Sequence, residues 1–111
     1  MPAWLVVVLT LTAVVWVAPL AHAEPDTSQV NSFIAELNKR GADYSTREAV
    51  VNAGELICTE LRDGQSVAAV ISAVKSGGFS SRDTGILMGA SAGAFCPDQL
   101  PTLQRFIDNN S

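Results

Sequence analysis

The chain has 111 residues, a formal net charge of −4 at pH 7 and a pI near 4.7. An acidic chain lacks the positive surface that nucleic-acid phosphates and anionic lipid headgroups require, so the composition argues against both as partners. The first 23 residues include 18 apolar residues and no charged side chain, whereas all 7 Lys and Arg and all 11 Asp and Glu lie after them. The chain therefore divides into an apolar leader and a charged remainder.

The leader has the features of a secretory signal peptide. Its uncharged apolar run ends in Ala21-His22-Ala23, and signal peptidase accepts small residues at the first and third positions before the cut. We predict cleavage after Ala23, which makes residues 1–23 a signal peptide and residues 24–111 a single helical domain. The alternative is an uncleaved membrane anchor, because about 18 apolar residues can just span a bilayer. With cleavage, the protein is secreted or held in the cell envelope and keeps no stable membrane span.

Catalytic chemistry is poorly supported by the remaining residues. The single histidine, His22, lies in the leader, which removes Ser-His-Asp and Cys-His arrangements and the commonest metal ligand from the mature domain. The sequence contains no P-loop, no dinucleotide-binding fingerprint and no zinc spacing. Glu48 and Glu55 share a predicted helix face and could form a glycosidase pair, but a solvated acidic face is the favoured interpretation. We therefore expect no enzymatic activity, no cofactor and no metal.

The mature chain shows helical periodicity throughout. Apolar residues recur at intervals of three and four, and capping or helix-breaking residues stand between the periodic segments. This pattern predicts an all-α fold, a compact bundle of four to five short helices. The predicted helices are residues 28–40, 45–62, 66–75, 80–95 and 99–108.

Capping residues set the predicted helix ends. Thr27 or Ser28 is the expected cap of the first helix, and Gly41 is its expected left-handed end. Ser45 and Glu48 have the spacing of a capping box at the start of the second helix.

Two later segments depend on the same chemistry. Asp98 is the expected cap of the fifth helix. Between the third and fourth helices, residues 75–81 read as a glycine C-cap followed by a serine N-cap. The alternative for that segment is an anion site, because helix N-termini present free N–H groups.

Cys58 and Cys96 are the only cysteines. In an oxidising compartment two cysteines allow one intramolecular disulfide, and we predict that they form it. Closing a loop of about 39 residues contributes roughly 3–4 kcal/mol in the chain-entropy model. That is a large share of the 5–10 kcal/mol or so expected for a small domain. Free thiols or an intermolecular link are the alternative.

Three glycines recur every four residues inside the predicted fourth helix, and each costs roughly 0.5–1 kcal/mol relative to alanine. A disulfide needs Cα atoms about 4.4–6.8 Å apart, closer than the 8–10 Å or so between ordinary helix axes. Cys96 falls eleven positions after the first of these glycines, on the same helical face. We therefore predict a close-packing seam between helices two and four, in which Gly89→Leu overpacks the interface. The seam comprises Gly54, Gly85, Gly89 and Gly93.

The pattern Gly54-x-x-x-Cys58-x-x-Leu61-x-x-Gly64, with a later small-residue helix that ends in Cys96-Pro97, resembles a family of small secreted mycobacterial and actinobacterial proteins. That family is known as domain of unknown function number 732. The leader, the opening Phe33-x-x-x-Leu37 helix and Phe95 ahead of the Cys-Pro pair are similar to it as well. The resemblance covers about residues 26–97. It implies an exported helical domain with one disulfide and transfers no catalytic residue, because the family has no established activity.

Two functional hypotheses follow. The first is a non-catalytic interaction or structural module that acts through its surface on an unknown protein partner. The second is a carrier of a small apolar ligand or lipid, in which Phe33, Phe79, Met88 and Phe95 line a pocket between helices. Plain core is the competing interpretation of these four side chains, because a small domain has little core to spare. An apolar cavity favours the carrier, and an exposed apolar patch favours the module.

Overall fold

The computed structural model describes residues 25–110. Over this range the chain forms five α-helices, one short 3-10 helix and no strand, which confirms the predicted all-α bundle. The signal-peptide prediction for residues 1–23 lies outside the described residues. Between residues 25 and 110, none of the helices combines the length and apolar character needed to cross a bilayer. The helices are α1 (Thr27–Lys39), α2 (Arg47–Arg62), α3 (Val67–Ser76), α4 (Ser81–Phe95) and α5 (Leu100–Asn109), with the 3-10 turn Pro97–Gln99 before α5.

The cap of α1 is Asp26, so the predicted cap at Thr27 or Ser28 is wrong. The Asp26 carboxylate accepts a hydrogen bond from the Gln29 N–H at 2.8 Å, and the Gln29 side chain accepts one from the Asp26 N–H at 2.9 Å. This reciprocal arrangement needs a long polar side chain three residues after the cap. Thr27 is followed at that distance by Val30, so it offers only half of the arrangement.

The cap of α2 is Thr46, and the predicted capping box of Ser45 and Glu48 is wrong. The Thr46 hydroxyl accepts a hydrogen bond from the Ala49 N–H at 3.0 Å, so the helix begins one residue later than the box requires. Glu48 instead lies in the first turn, where a negative charge is stabilised by the positive end of the helix dipole.

The remaining ends are close to their predicted positions. The hydroxyls of Ser66 and Ser80 cap α3 and α4, and Gly41 after α1 has a φ of +71° that favours glycine. The predicted Asp98 cap of α5 is wrong, because α5 begins without a side-chain cap. Asp98 instead accepts two hydrogen bonds from Arg62 of α2, at 2.6 and 3.2 Å.

The core lies where α4 packs between α1 and α2, its two most extensive neighbours. The rings of Phe33 in α1 and Phe95 in α4 have centroids 4.8 Å apart. At the other end of α4, Arg82 donates hydrogen bonds to the backbone oxygens of Arg40 and Gly41, at 2.8 and 3.1 Å. The start of α4 therefore lies beside the end of α1, and the two helices run antiparallel.

The predicted disulfide between Cys58 and Cys96 is confirmed. It joins α2 to the residue that follows α4, with the two Cα atoms 5.8 Å apart. Both cysteines are buried. The bond therefore fixes the contact between α2 and the end of α4 from inside the core.

Candidate interaction groove

The three glycines of α4 do not face α2. Gly85, Gly89 and Gly93 are exposed. A Cβ added at any of them has nothing within 4 Å among the described residues, apart from the helix's own neighbouring backbone. The predicted seam is therefore wrong at these positions, and so is the overpacking expected of Gly89→Leu.

The error lies in the register of Cys96. The prediction placed Cys96 on the glycine face by assuming that the helix continues through it. In the structure α4 ends at Phe95, and Cys96 has φ −148° and ψ 67°, outside the helical region. The Cys96 side chain therefore bonds to Cys58 without lying on the glycine face, where helical spacing would place it.

Gly54 is the member of the predicted seam that is closely packed. A Cβ there would lie 2.8 Å from Cζ of Phe33 and 2.9 Å from Cε2 of Phe95, closer than real Cβ contacts come. The close approach to α2 is thus made by two aromatic rings, one from α1 and one from α4. It is not made by a second row of glycines.

The four side chains proposed as ligand contacts or core divide unequally. Phe33, Met88 and Phe95 are 0, 5 and 8% exposed and belong to the core. Phe79 is half-buried beside that core, in the loop before α4. Three of the four are therefore occupied in packing the domain.

A surface groove of about 430 Å³ runs between α1 and α4. Its floor is formed by α4 and its wall by α1. Because the two helices are antiparallel, the groove runs along both of them. Glycines at four-residue intervals lie along one line of the α4 surface, because four residues make little more than one turn. The floor consists of Gly85, Ile86, Gly89, Ala90, Gly93 and Ala94, and the wall consists of Ser32, Glu36 and Arg40.

The α1 wall of this groove carries an ion pair. Arg40 donates a hydrogen bond through Nε to the carboxylate of Glu36, one turn earlier. That hydrogen bond lowers the pKa of the Glu36 carboxyl. The wall therefore presents a positive and a negative group beside a small, apolar floor.

The sequence pattern predicted a buried seam and not a groove. It placed Gly85, Gly89 and Gly93 on one helical face but assigned that face to α2, and it did not indicate the α1 wall. Two signals for that wall are present in the sequence. Glu36 and Arg40 have the spacing of a helical ion pair, and with Ser32 they repeat the four-residue interval of the glycines.

A family model described as "Protein of unknown function (DUF732)" matches residues 25–98, which include α1 to α4, both cysteines and the whole groove. No curated protein and no solved structure shows a significant match.

Proposed function

This chain belongs to the DUF732 family of proteins of unknown function, and we propose that it is a non-catalytic interaction module. Its docking surface is the groove between α1 and α4, and the occupant is an α-helix of another protein. The module acts outside the cytoplasm, as the apolar leader suggests. The disulfide supports that location, because such bonds persist mainly in oxidising compartments.

The exposed glycines of α4 are the observation that carries this proposal. Three glycines inside one helix cost roughly 1.5–3 kcal/mol relative to alanines. No contact among the described residues uses the space that their missing side chains leave. The cost is considerable for a domain whose total stability is expected to be about 5–10 kcal/mol. A partner that packs against the bare backbone of α4 would explain why these positions are glycine.

The dimensions of the floor suit a helix. From Gly85 to Gly93 the floor extends about 12 Å at the usual rise per residue, which is roughly two helical turns. Ordinary helices pack with axes about 8–10 Å apart, and a floor without side chains permits the lower end of this range. Amphipathic helices commonly dock in such grooves through an apolar face. Here the Glu36 and Arg40 pair offers polar groups to the edge of that face.

The proposal is tested by filling the groove. Gly89→Leu places a large side chain on the floor without touching the core, because the space above Gly89 is open. The tagged variant and the wild type are incubated with the culture fluid and envelope fraction of the producing organism, and captured proteins are compared by mass spectrometry. Any protein lost with the variant is purified and its affinity measured. Overpacking of this kind is expected to weaken binding by about 5- to 150-fold.

Ala73→Leu is the matched control. Ala73 is exposed on α3 and lines no part of the groove, so this variant adds the same apolar side chain elsewhere. Retention of the partner by Ala73→Leu together with its loss by Gly89→Leu supports the proposal. Equal binding by both variants refutes it. Sedimentation of the purified protein at high concentration shows whether the occupant is instead a second copy of this chain.

A further inference from the structure

The C-terminus of α1 is capped by a side chain that comes from α4. The last carbonyl groups of an α-helix have no partner within the helix. At the end of α1, the Arg82 guanidinium donates a hydrogen bond to the Arg40 oxygen at 2.8 Å and another to the Gly41 oxygen at 3.1 Å. Arg82 lies 41 residues after Gly41 in the chain. The cap therefore joins two helices that are distant in the sequence.

The chemistry of the guanidinium suits this cap. Its planar fork presents N–H donors in fixed directions, so Nη1 and Nη2 can bind two neighbouring carbonyl groups at once. Nη1 also donates a hydrogen bond to the carboxylate of the adjacent Asp83 at 3.3 Å, which pairs the charge of Arg82 within α4. The positive charge lies at the negative end of the α1 dipole, where it is stabilising. Hydrogen bonds, an ion pair and the helix dipole thus all favour this position of the guanidinium.

The cap is connected to the groove through Arg40. The Arg40 side chain belongs to the α1 wall, and its backbone oxygen is one of the two that Arg82 binds. Leu37 is the last buried residue of α1, so the final turn of the helix is not anchored in the core. The Tyr44 hydroxyl binds the Asn38 side chain in this turn at 2.9 Å. Among the described residues, the hydrogen bonds that join α4 to the end of α1 come from Arg82.

We propose that Arg82 is a positioning residue for the groove, because it holds the last turn of α1, and with it the Arg40 end of the wall, at a fixed distance from the glycine floor. Without these hydrogen bonds the last turn is free to move relative to α4, and the groove loses its defined width at the end that Gly85 lines. Arg82 is absent from the groove lining, so it acts on a partner through Arg40. The inference rests on the proposed function, since this groove is the docking surface for the partner helix.

The first test is site-resolved amide hydrogen exchange, measured by NMR on the disulfide-bonded protein, for the wild type and Arg82→Gln. The amides of Arg40, Gly41 and Ala42 close the end of α1 through hydrogen bonds to earlier residues of that helix. We expect them to exchange roughly tenfold faster in the variant, because the cap no longer restrains this turn. Unchanged exchange at these amides overturns the inference. Acceleration by the same factor throughout α2 and α4 also overturns it, because that result reports only a general loss of stability.

Two further variants separate the fork from the charge. Arg82→Lys keeps a positive charge at the end of α1, but an ammonium group does not reproduce the planar fork. We expect residues 40–42 of this variant to exchange still about threefold faster than in the wild type. Full protection in Arg82→Lys would show that the charge alone is sufficient and would contradict the two-carbonyl cap. Arg105→Gln removes the same charge from the exposed face of α5, and as the control it should leave these amides at the wild-type rate.

The second test measures binding. Its probe is the protein that the wild type captures and Gly89→Leu loses, and we expect Arg82→Gln to bind it roughly fivefold more weakly or worse, with Arg105→Gln equal to the wild type. Equal affinity of Arg82→Gln and the wild type overturns the positioning role and leaves the proposed function intact. If Gly89→Leu loses no protein, the proposed function fails, whereas the exchange rates at residues 40–42 still decide whether Arg82 holds the wall.

Discussion

Gly54 in α2 and Gly89 in α4 are both glycines inside an α-helix, yet their surroundings are opposite. The space that a side chain would occupy at Gly54 is filled by the rings of Phe33 and Phe95, whereas at Gly89 it is open. Glycine at Gly54 is a steric requirement of the core. Glycine at Gly89 has no such requirement within the described chain. A small residue in a sequence therefore shows that close approach is possible, but not which group makes it.

The largest expected effect comes from the disulfide that holds α2 to the end of α4. Replacing both Cys58 and Cys96 by alanine is expected to lower the free energy of unfolding by about 3–4 kcal/mol, because the denatured chain regains the entropy of a closed loop. Urea denaturation of the variant and wild type measures the difference. Reduced wild type should match the variant. A loss below about 1 kcal/mol would show that the packing around Gly54 holds the two helices together without the bond.

The next effect tests the crowded glycine directly. Gly54→Ala is expected to destabilise the protein by about 1–3 kcal/mol, because the new methyl group meets two buried rings. Part of that loss is offset by the higher helix propensity of alanine, roughly 0.5–1 kcal/mol. Thermal and urea unfolding both report the change. Unchanged stability would mean that Phe33 and Phe95 can move aside, and the contrast with α4 would lose its basis.

The same substitution in the open glycine row should have the opposite sign. Gly89→Ala is expected to stabilise the protein by roughly 0.5–1 kcal/mol, because alanine loses less backbone entropy in a helix and meets no neighbour. Gly54→Ala, measured under the same conditions, is the matched control, because the two variants make the same change in opposite surroundings. If Gly89→Ala instead destabilises the protein, α4 packs at this position against a group that is not among the described residues.

The smallest effect concerns the ion pair beside the disulfide. The Arg62 guanidinium lowers the pKa of the Asp98 carboxyl below its ordinary 3.8. The pair therefore stabilises the fold above pH 3.8, and its contribution disappears as the pH falls through the lowered pKa. Because both side chains are substantially exposed, we expect less than about 1 kcal/mol. The stability difference between wild type and Asp98→Asn should shrink between pH 6 and pH 2 or so; a constant difference would contradict this.

Local patterns predicted most of the fold. The apolar repeats gave all five helices within a few residues, since those repeats reflect the face that each helix buries. The errors at Asp26 and Thr46 arose because neighbouring polar residues compete for the same cap. A polar partner three residues later explains the cap at Asp26, which pairs with Gln29, but not the cap at Thr46, because Ser45 has Glu48 at the same spacing and does not cap α2.

The groove was less predictable, because it depends on which helix packs against which. Helical spacing placed Gly85, Gly89 and Gly93 on one face correctly, but the direction of that face was inferred from Cys96. Cys96 leaves the helix, and that change of backbone direction has no signal in helical periodicity.

The position of the disulfide has a mechanical consequence. The loop between Cys58 and Cys96 contains α3 and α4, whereas α1 and α5 lie outside it. A pulling force applied at the two ends of the domain cannot extend the segment between the two cysteines. With a sequence separation of 38, that segment withholds about 130 Å of chain from the force. Under tension α1 is thus free to peel away while α4 stays tethered. Such peeling removes the groove's α1 wall and leaves its floor in place.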